Sequence, residues 1–305
     1  MTHRVVSLLP AATEIVAALG ALDELVGISH ECDYPPAVQR LPRVTASAVD
    51  GEHSSRDIDD DVRRLASIGA PVCALDALQL TQLSPSLIIT QTLCDVCAVS
   101  EGDVRALGSV LQSEPRLLAL GATTLDGVWA DIRTVGDALG RRAEAGALLD
   151  ELAGRLLTVH ETLKAGRAPR LRVAVIEWLD PLYAAGHWTP ELVRRAGGID
   201  VLATAGDHSS QVGVERIREA APDLLLFAPC GFGLERAARE STALLATDAW
   251  RWAADLPAYA LDGNALTSRP GPRLADAVEV IASIVAPTMF EAPSVKYARR
   301  LGSRG

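Results

Sequence analysis

The chain has few lysines, few phenylalanines and no long apolar run. Of its 29 basic residues only Lys164 and Lys296 are lysine, and the formal net charge is −10. No stretch approaches the roughly 18 uninterrupted apolar residues that a membrane-spanning helix requires, so we expect no membrane insertion. Because no basic surface is present to gather phosphates, we expect no nucleic-acid partner either.

Motifs of the common catalytic sites are also missing. The chain contains no G-x-S-x-G, no phosphate-binding P-loop and no H-E-x-x-H. Gly231-Phe-Gly233 follows a predicted strand but lacks the third glycine of a dinucleotide fingerprint. The sequence therefore predicts a protein that is not an enzyme.

The first residues do not form a secretory signal. Val5–Leu9 predicts a strand, and Pro10, Thr13 and Glu14 interrupt any apolar segment that could serve as a leader. Five cysteines, an odd number, also fit poorly with a set of secreted disulfides. We expect a cytoplasmic protein, or a periplasmic or extracellular one if the true start lies upstream.

Short apolar runs alternate with helical patterns along the 305 residues, which predicts an α/β fold with buried parallel strands. We expect two lobes, at residues 1–122 and 169–288, with a linking segment at 123–168 and a loose tail at 289–305. Apolar spacing over residues 125–163 predicts either one long helix or two helices broken near Gly140. The two halves share a weak internal duplication, which favours similar lobes facing each other across a cleft.

Four cysteines lie just beyond predicted strands, where the loops of an open α/β sheet bind ligands. Cys94 and Cys97 form a C-x-x-C, a spacing suited to a soft metal or to redox chemistry, and Cys32 and Cys230 follow strands of different lobes. Together they predict a zinc or iron–sulfur site. The alternative is that each cysteine is a small apolar filler.

Several segments follow one another in a recognisable order along the chain. They are Val5-Val-Ser-Leu-Leu-Pro10-Ala-Ala-Thr-Glu14, Asp33-Tyr34-Pro35, Pro85-Ser-Leu-Ile-Ile, Asp180-Pro181-Leu-Tyr-Ala-Ala-Gly186, Pro222-Asp-Leu-Leu-Leu and Ser268-Arg269-Pro270. Their order resembles that of the cobalamin and iron-siderophore substrate-binding proteins of ABC transporters. The resemblance covers residues 4–286. It implies two Rossmann-like α/β lobes joined by a long backbone helix, with a corrinoid or related metal chelate bound in the cleft between the lobes.

The resemblance also implies one docking glutamate in each lobe for an ABC permease. Glu215 stands at that position in the second half, whereas the first half has Leu78, with Asp76 as the nearest carboxylate. If docking depends on two carboxylates that each contact an arginine of the partner, leucine at one position removes one of the two charge pairs. The sequence therefore leaves a permease partner in doubt.

Several side chains are candidates for the ligand site that the resemblance implies. Tyr183 and Trp188 offer flat apolar contact, Arg269 offers a polar anchor, and His30 or His187 offers an imidazole to a metal. The candidates for ligand contact are Pro10, His30, Tyr34, Tyr183, His187, Trp188, Phe232 and Arg269. The alternative for Trp188 and His187 is that they only pack and form hydrogen bonds at a helix start. The alternative for Arg269 is that it is an exposed cation in a loop. His208 is expected to be a turn residue.

Two functions remain open from the sequence. The first is a non-catalytic protein that binds cobalamin or a related chelate between its lobes. The second is a cytoplasmic redox or sensor protein that carries zinc or an iron–sulfur cluster on Cys32, Cys94, Cys97 and Cys230.

Overall fold

The computed structural model describes residues 3–92, 102 and 114–302. The chain divides into two compact units. Unit 1 comprises Met1–Ala122 and Asp126–Asp150, and unit 2 comprises Thr123–Leu125 and Glu151–Gly305. Both units combine sheets with helices, so the fold class is α/β, as the sequence predicts.

The strands are short and alternate with the helices along the chain. They are β1 (Val5–Ser7), β2 (Leu25–Ile28), β3 (Thr45–Ser47), β4 (Cys73–Leu75), β5 (Leu87–Gln91), β6 (Arg116–Leu120), β7 (Arg172–Leu179), β8 (Leu182–Ala184), β9 (Ile199–Asp200), β10 (Ser210–Gln211), β11 (Leu224–Phe227), β12 (Ala258–Leu261) and β13 (Ala298–Arg300).

The described helices vary from single turns to seven turns. They are α1 (Pro10–Ala18), α2 (Ser55–Ser67), α3 (Ala77–Leu83), α4 (Leu125–Ala138), α5 (Arg142–Gly166), α6 (Thr189–Arg195), α7 (Val214–Glu219), α8 (Leu234–Leu245), α9 (Gly263–Leu266) and α10 (Leu274–Val285).

Unit 1 is built on a parallel sheet in the order β2-β1-β5-β6, with β3 and β4 as a separate antiparallel pair. Every residue of β1 and β5 is buried, as expected for parallel strands covered on both faces. A core cluster joins Val6 and Ile88 of the sheet to Leu65 of α2 and Leu80 of α3.

Unit 2 carries a mixed sheet in the order β10-β8-β7-β11-β12-β13, with β9 paired to β7. Strands β7, β11 and β12 are parallel, whereas β8, β10 and β13 run antiparallel to their neighbours. All four residues of β11 are buried, and α10 packs against α6. The carboxyl ends of β7, β11 and β12 therefore lie at one edge of the sheet, where such folds bind ligands.

The helical segment between the sheets is two helices rather than one. Helix α4 ends at Ala138, Gly140 adopts a φ of +68°, and α5 begins at Arg142. Glycine reaches this left-handed conformation without the penalty that a Cβ imposes, so it ends the helix there. Of the two alternatives from the sequence, the broken helix is the one observed.

Two other expectations are corrected. The sequence predicts a turn over residues 10–13 and a helix from Glu14 with Thr13 as its N-cap. Helix α1 instead begins at Pro10, because proline suits the first helical position and lacks only an N–H that would have no partner there. The tail 289–305 is not loose throughout, since Ala298–Arg300 pair with β12 as the edge strand β13. Among the described residues, no helix combines the length and apolar character needed to cross a bilayer.

Candidate functional site

Three loops of unit 2 meet at the carboxyl edge of its sheet, after β7, β11 and β12. The amide of Cys230 donates to the carbonyl of Glu177 at 2.9 Å, and the amide of Asn264 donates to the carbonyl of Phe232 at 3.1 Å. The amide of Gly231 donates to Ser268 Oγ at 3.2 Å. These bonds bring the loops that carry Phe232 and Arg269 together beside β7.

An aromatic surface lies on the hairpin of β7 and β8. Trp178 and Tyr183 are direct cross-strand partners, so their side chains project on the same face of the sheet. Both are half-buried. The Trp178 ring contacts Phe232 at a centroid distance of 5.3 Å, and the guanidinium of Arg236 lies 3.7 Å from the Phe232 centroid.

Phe232 therefore lies behind the hairpin as a support for Trp178. Its own exposed fraction is 4%, which leaves little of its ring for a ligand. Phe232 was a candidate from the sequence but Trp178 was not, because the apolar run predicts a strand over Leu171–Glu177, which ends one residue short of the tryptophan. The sequence did not indicate that this strand extends to Leu179 or that it pairs with β8, and these two features place Trp178 beside Tyr183.

Trp188 is 5% exposed, and its Nε1 donates to the carbonyl of Thr267 at 2.8 Å. This is the environment that the packing alternative for Trp188 predicts, and the indole holds the loop before α6 against the loop after α9. Of the two tryptophans at this edge, Trp178 presents the more accessible ring.

Arg269 is 3% exposed, and its Nη2 donates to Oδ1 of Asn264 at 2.7 Å. The alternative of a solvent-exposed loop cation is therefore wrong. A buried guanidinium with a hydrogen-bonded amide partner stabilises the loop between α9 and α10. Contact of Arg269 with a ligand stays a prediction.

His187 and His208 form a pair that the sequence analysis did not anticipate. Nε2 of His187 lies 3.1 Å from Nδ1 of His208, and the two rings meet edge to face at a centroid distance of 5.1 Å. Burial, together with the charge that His208 can carry, lowers the pKa of His187. His187 is thus favoured in its neutral form, which retains a lone pair for a metal or a hydrogen bond.

The candidate residues of unit 1 lie beyond its parallel strands. Pro10 is the first residue of α1 and is partly exposed, and the Tyr34 side chain is 40% exposed. Nδ1 of His30 lies 2.6 Å from Thr45 Oγ1, and its Nε2 lies 3.3 Å from a carboxylate oxygen of Glu31. Nδ1 of His30 is therefore hydrogen-bonded, and its Nε2 lies beside a carboxylate.

The cysteines have different surroundings. Cys32 is fully buried, with its Sγ 3.0 Å from Thr13 Oγ1. This environment is that of a packed small side chain rather than of an open metal ligand, so the prediction of Cys32 as a ligand is not supported. Cys230 is exposed. Cys94 and Cys97 lie outside the described residues, and a metal site on them stays a prediction.

Within residues 3–92 and 114–302, no three side chains of His, Cys, Asp or Glu gather into a metal-binding group.

The residues discussed for docking are accessible. Glu215 is exposed in the first turn of α7, and Leu78 in α3 is 71% exposed. Asp76, the nearest carboxylate to Leu78, accepts a bond from the amide of Gln79 at 2.8 Å and so caps α3.

The fold and the order of these segments define a class of ligand-binding proteins. Residues 5–260 match the periplasmic binding protein family, and the chain belongs to that family. A curated relative, the vitamin B12-binding protein of Vibrio cholerae, is 25% identical over 286 residues, which cover 92% of this chain and 87% of the relative.

Solved structures show the same fold. A periplasmic heme-binding protein from Pseudomonas aeruginosa superposes with a TM-score of 0.74 at 20% identity, covering 100% of both chains. The periplasmic vitamin B12-binding protein of Vibrio cholerae gives a TM-score of 0.63 at 22% identity, covering 93% of this chain and 96% of that one. These relatives are periplasmic by name, so the comparisons give no support to the predicted cytoplasmic location.

Proposed function

We propose that this protein binds a corrinoid or a related flat metal chelate, without catalysing a reaction on it. The observation that carries the proposal is the aromatic surface formed by Trp178 and Tyr183 at the ligand-binding edge of unit 2. A flat macrocycle offers a large apolar face, and aromatic rings contribute both buried area and favourable stacking. The vitamin B12-binding relative supports the same class of ligand.

Trp178 and Tyr183 are the proposed contact residues of unit 2. Phe232 supports Trp178, and the guanidinium of Arg236 lies over the ring of Phe232. Because the supporting ring is buried, Trp178 loses little freedom when a ligand arrives, which favours affinity. Trp188 and Arg269 act in this proposal by holding the neighbouring loops in place.

Pro10, His30 and Tyr34 are the proposed contact residues of unit 1. All three are accessible, partly or largely, in loops or at a helix start beyond parallel strands. An imidazole from His30 or His187 is the proposed ligand for the metal of the chelate. For His30, this role requires that Nε2 leave Glu31, which lies 3.3 Å away.

An ABC permease is the proposed recipient of the ligand. Glu215 is exposed and carries the charge expected of a docking residue. Leu78, which raised the doubt about a permease, is itself accessible and can make an apolar contact with a partner. Leucine in place of the implied glutamate therefore changes the chemistry of docking at position 78 and does not exclude docking.

The cysteine-based alternative, a redox or sensor protein with zinc or an iron–sulfur cluster, has less support. It requires Cys32 to leave its buried contact with Thr13. Of the other candidates, Cys230 is exposed, and Cys94 and Cys97 lie outside the described residues.

The experiment that separates the two functions is an absorption spectrum before and after addition of cyanocobalamin or cobinamide. We expect protein purified without oxygen to be colourless and to retain the added corrinoid on gel filtration. The double variant Cys94→Ser, Cys97→Ser should retain it equally. Brown protein that loses its colour in this double variant, together with no retained corrinoid, would contradict the proposal.

A further inference from the structure

Two loops of unit 2 bring His187 and His208 together from positions 21 residues apart. Strands β8 and β10 pair antiparallel, with Tyr183 opposite Gln211. His187 follows β8 and His208 precedes β10, so both histidines lie at the same end of this strand pair. Their nitrogens, Nε2 of His187 and Nδ1 of His208, are 3.1 Å apart.

The backbone fixes the two loops against each other. The amide of His187 donates to the carbonyl of Asp207 at 2.6 Å, and the amide of Gly206 donates to the carbonyl of His187 at 2.9 Å. A Cβ at position 186 would lie 2.6 Å from the oxygen of Asp207, so glycine is needed for this approach. The two imidazoles are therefore positioned before any ligand binds.

We propose that His187 Nε2 and His208 Nδ1 form a two-imidazole site for a divalent transition-metal ion. With metal–nitrogen bonds of about 2.0–2.1 Å, two nitrogens at this separation subtend an angle of roughly 95–102° at the metal. Such an angle lies between the square-planar and tetrahedral values. Cu²⁺, Ni²⁺ and Zn²⁺ all prefer imidazole ligands, with Cu²⁺ bound most tightly.

The proton between the two rings must move when the metal binds. In the neutral pair, one of the two facing nitrogens carries a hydrogen and the other accepts it. Both lone pairs are needed for the metal, so the donating ring gives up this proton and takes one at its other nitrogen. Each ring remains neutral with one N–H, and no proton is released overall.

The remaining coordination positions are open. His208 is exposed and His187 is half-buried, so water or a small molecule can reach an ion held between them. The site needs neither the predicted cysteines nor a chelate, and it therefore goes beyond the proposed function. It is an ion site within the loops of unit 2.

The test is calorimetric titration of the full chain, free of any polyhistidine tag, with NiCl₂ alone. The wild type should bind one equivalent, and His208→Asn should weaken binding at least tenfold. His187→Asn should do the same, and asparagine suits the position because it tolerates the φ of +53° that His187 adopts. Quenching of tryptophan emission by Cu²⁺ gives a second readout, since the Trp188 ring lies 5.5 Å from His187.

Two control variants test whether nickel binds at His187 and His208 rather than elsewhere. His160→Asn removes an exposed histidine of α5 and should leave nickel binding unchanged. The double variant Cys94→Ser, Cys97→Ser should also bind as the wild type does. The proposal is overturned if the wild type binds no nickel, if His208→Asn binds as well as the wild type, or if the cysteine variant alone loses the ion.

Discussion

Trp178 and Tyr183 face each other across the β7–β8 hairpin, and the rings of Trp178 and Phe232 are 5.3 Å apart. This relationship makes Trp178 the accessible end of a supported aromatic cluster. In the proposed function, it is the main flat contact of unit 2 with the ligand.

Replacement of Trp178 by leucine should therefore weaken binding of the chelate about tenfold or more, equivalent to about 1.4 kcal/mol. Leucine keeps the position apolar but removes the flat ring and its stacking. The measurement is a titration followed by ligand absorbance. Trp252→Leu, which removes a tryptophan stacked on Trp250 at 5.8 Å, is the control and should bind normally. Equal affinities for the two variants would exclude Trp178 as a contact.

Several of the parallel strands could be predicted because they are largely apolar runs. The segment Arg116–Leu120 predicts a strand that matches β6, and Leu87–Thr90 predicts one that is a residue short of β5, whereas the parallel strands β9 and β12 were not predicted. Both strands belong to a parallel sheet whose middle strands are buried on both faces, which is the physical origin of such runs.

The shortest strands could not be predicted in this way. Strands β9 and β10 have two residues each, and β8 has three. A pattern with period two needs more residues than that to be recognised. Since β8 and β10 position Tyr183, His187 and His208, the chemistry of this edge was only partly visible in the sequence.

Contacts between distant residues were the other limit. Trp188 and Arg269 are buried, with hydrogen bonds to Thr267 and Asn264, respectively. Neither burial follows from the local sequence, because a loop residue next to proline or glycine is equally suited to solvent. Residue type alone favoured ligand contact for both.

Gly263 allows the loops after β11 and β12 to meet. A Cβ at this position would overlap the carbonyl oxygen of Pro229. Gly263→Ala should therefore destabilise the protein by about 1–3 kcal/mol, as measured by urea unfolding. Gly154→Ala is the matched control, because its Cβ would meet nothing within 4 Å in the interior of α5. It should stabilise by about 0.5–1 kcal/mol, and a loss of stability in the control alone would contradict the account.

Asp200 should make the stability depend on pH. Desolvation raises the pKa of its carboxyl to about 6, despite hydrogen bonds from the amides of Leu202 and Ala203. The folded state therefore holds this proton more tightly than the unfolded chain does. The stabilisation from protonation is present at low pH and is lost as the pH rises from about 4 to about 6.

Asp200→Asn removes this titration while Oδ1 can still accept both backbone bonds, at 2.9 and 3.1 Å. Relative to the wild type, the variant should gain up to about 3 kcal/mol of unfolding free energy between pH 4 and pH 7. Urea unfolding of both proteins at several pH values measures this difference. A difference that does not change with pH would show that the carboxyl is not desolvated.

Arg155 joins α5 to α10 within unit 2. Its Nε and Nη2 contact the two carboxylate oxygens of Glu279 at 2.8 and 2.6 Å, and Nη2 also contacts Asp276. Lysine cannot reproduce this two-pronged contact. Arg155→Lys should therefore lower the unfolding free energy by roughly 1 kcal/mol.

The matched control for Arg155 is Arg142→Lys. Arg142 forms a pair with Asp137 in which the arginine side chain is 85% exposed. Exposed pairs contribute little to stability because water screens them, so thermal or urea unfolding of Arg142→Lys should match the wild type. If the two variants lost equal stability, the half-buried geometry of Arg155 would have no special role.

The most direct test of the central claim is a binding titration of the wild-type chain with four pigments. These are cyanocobalamin, cobinamide, hemin and a ferric siderophore, each followed by its own absorbance. We expect at least one of the three flat chelates, cyanocobalamin, cobinamide and hemin, to bind in a 1:1 ratio with a Kd of about 1 μM or tighter, equivalent to about −8 kcal/mol. If none of these three binds measurably to folded protein, or only the ferric siderophore binds, the assignment of a flat metal chelate as the ligand is wrong.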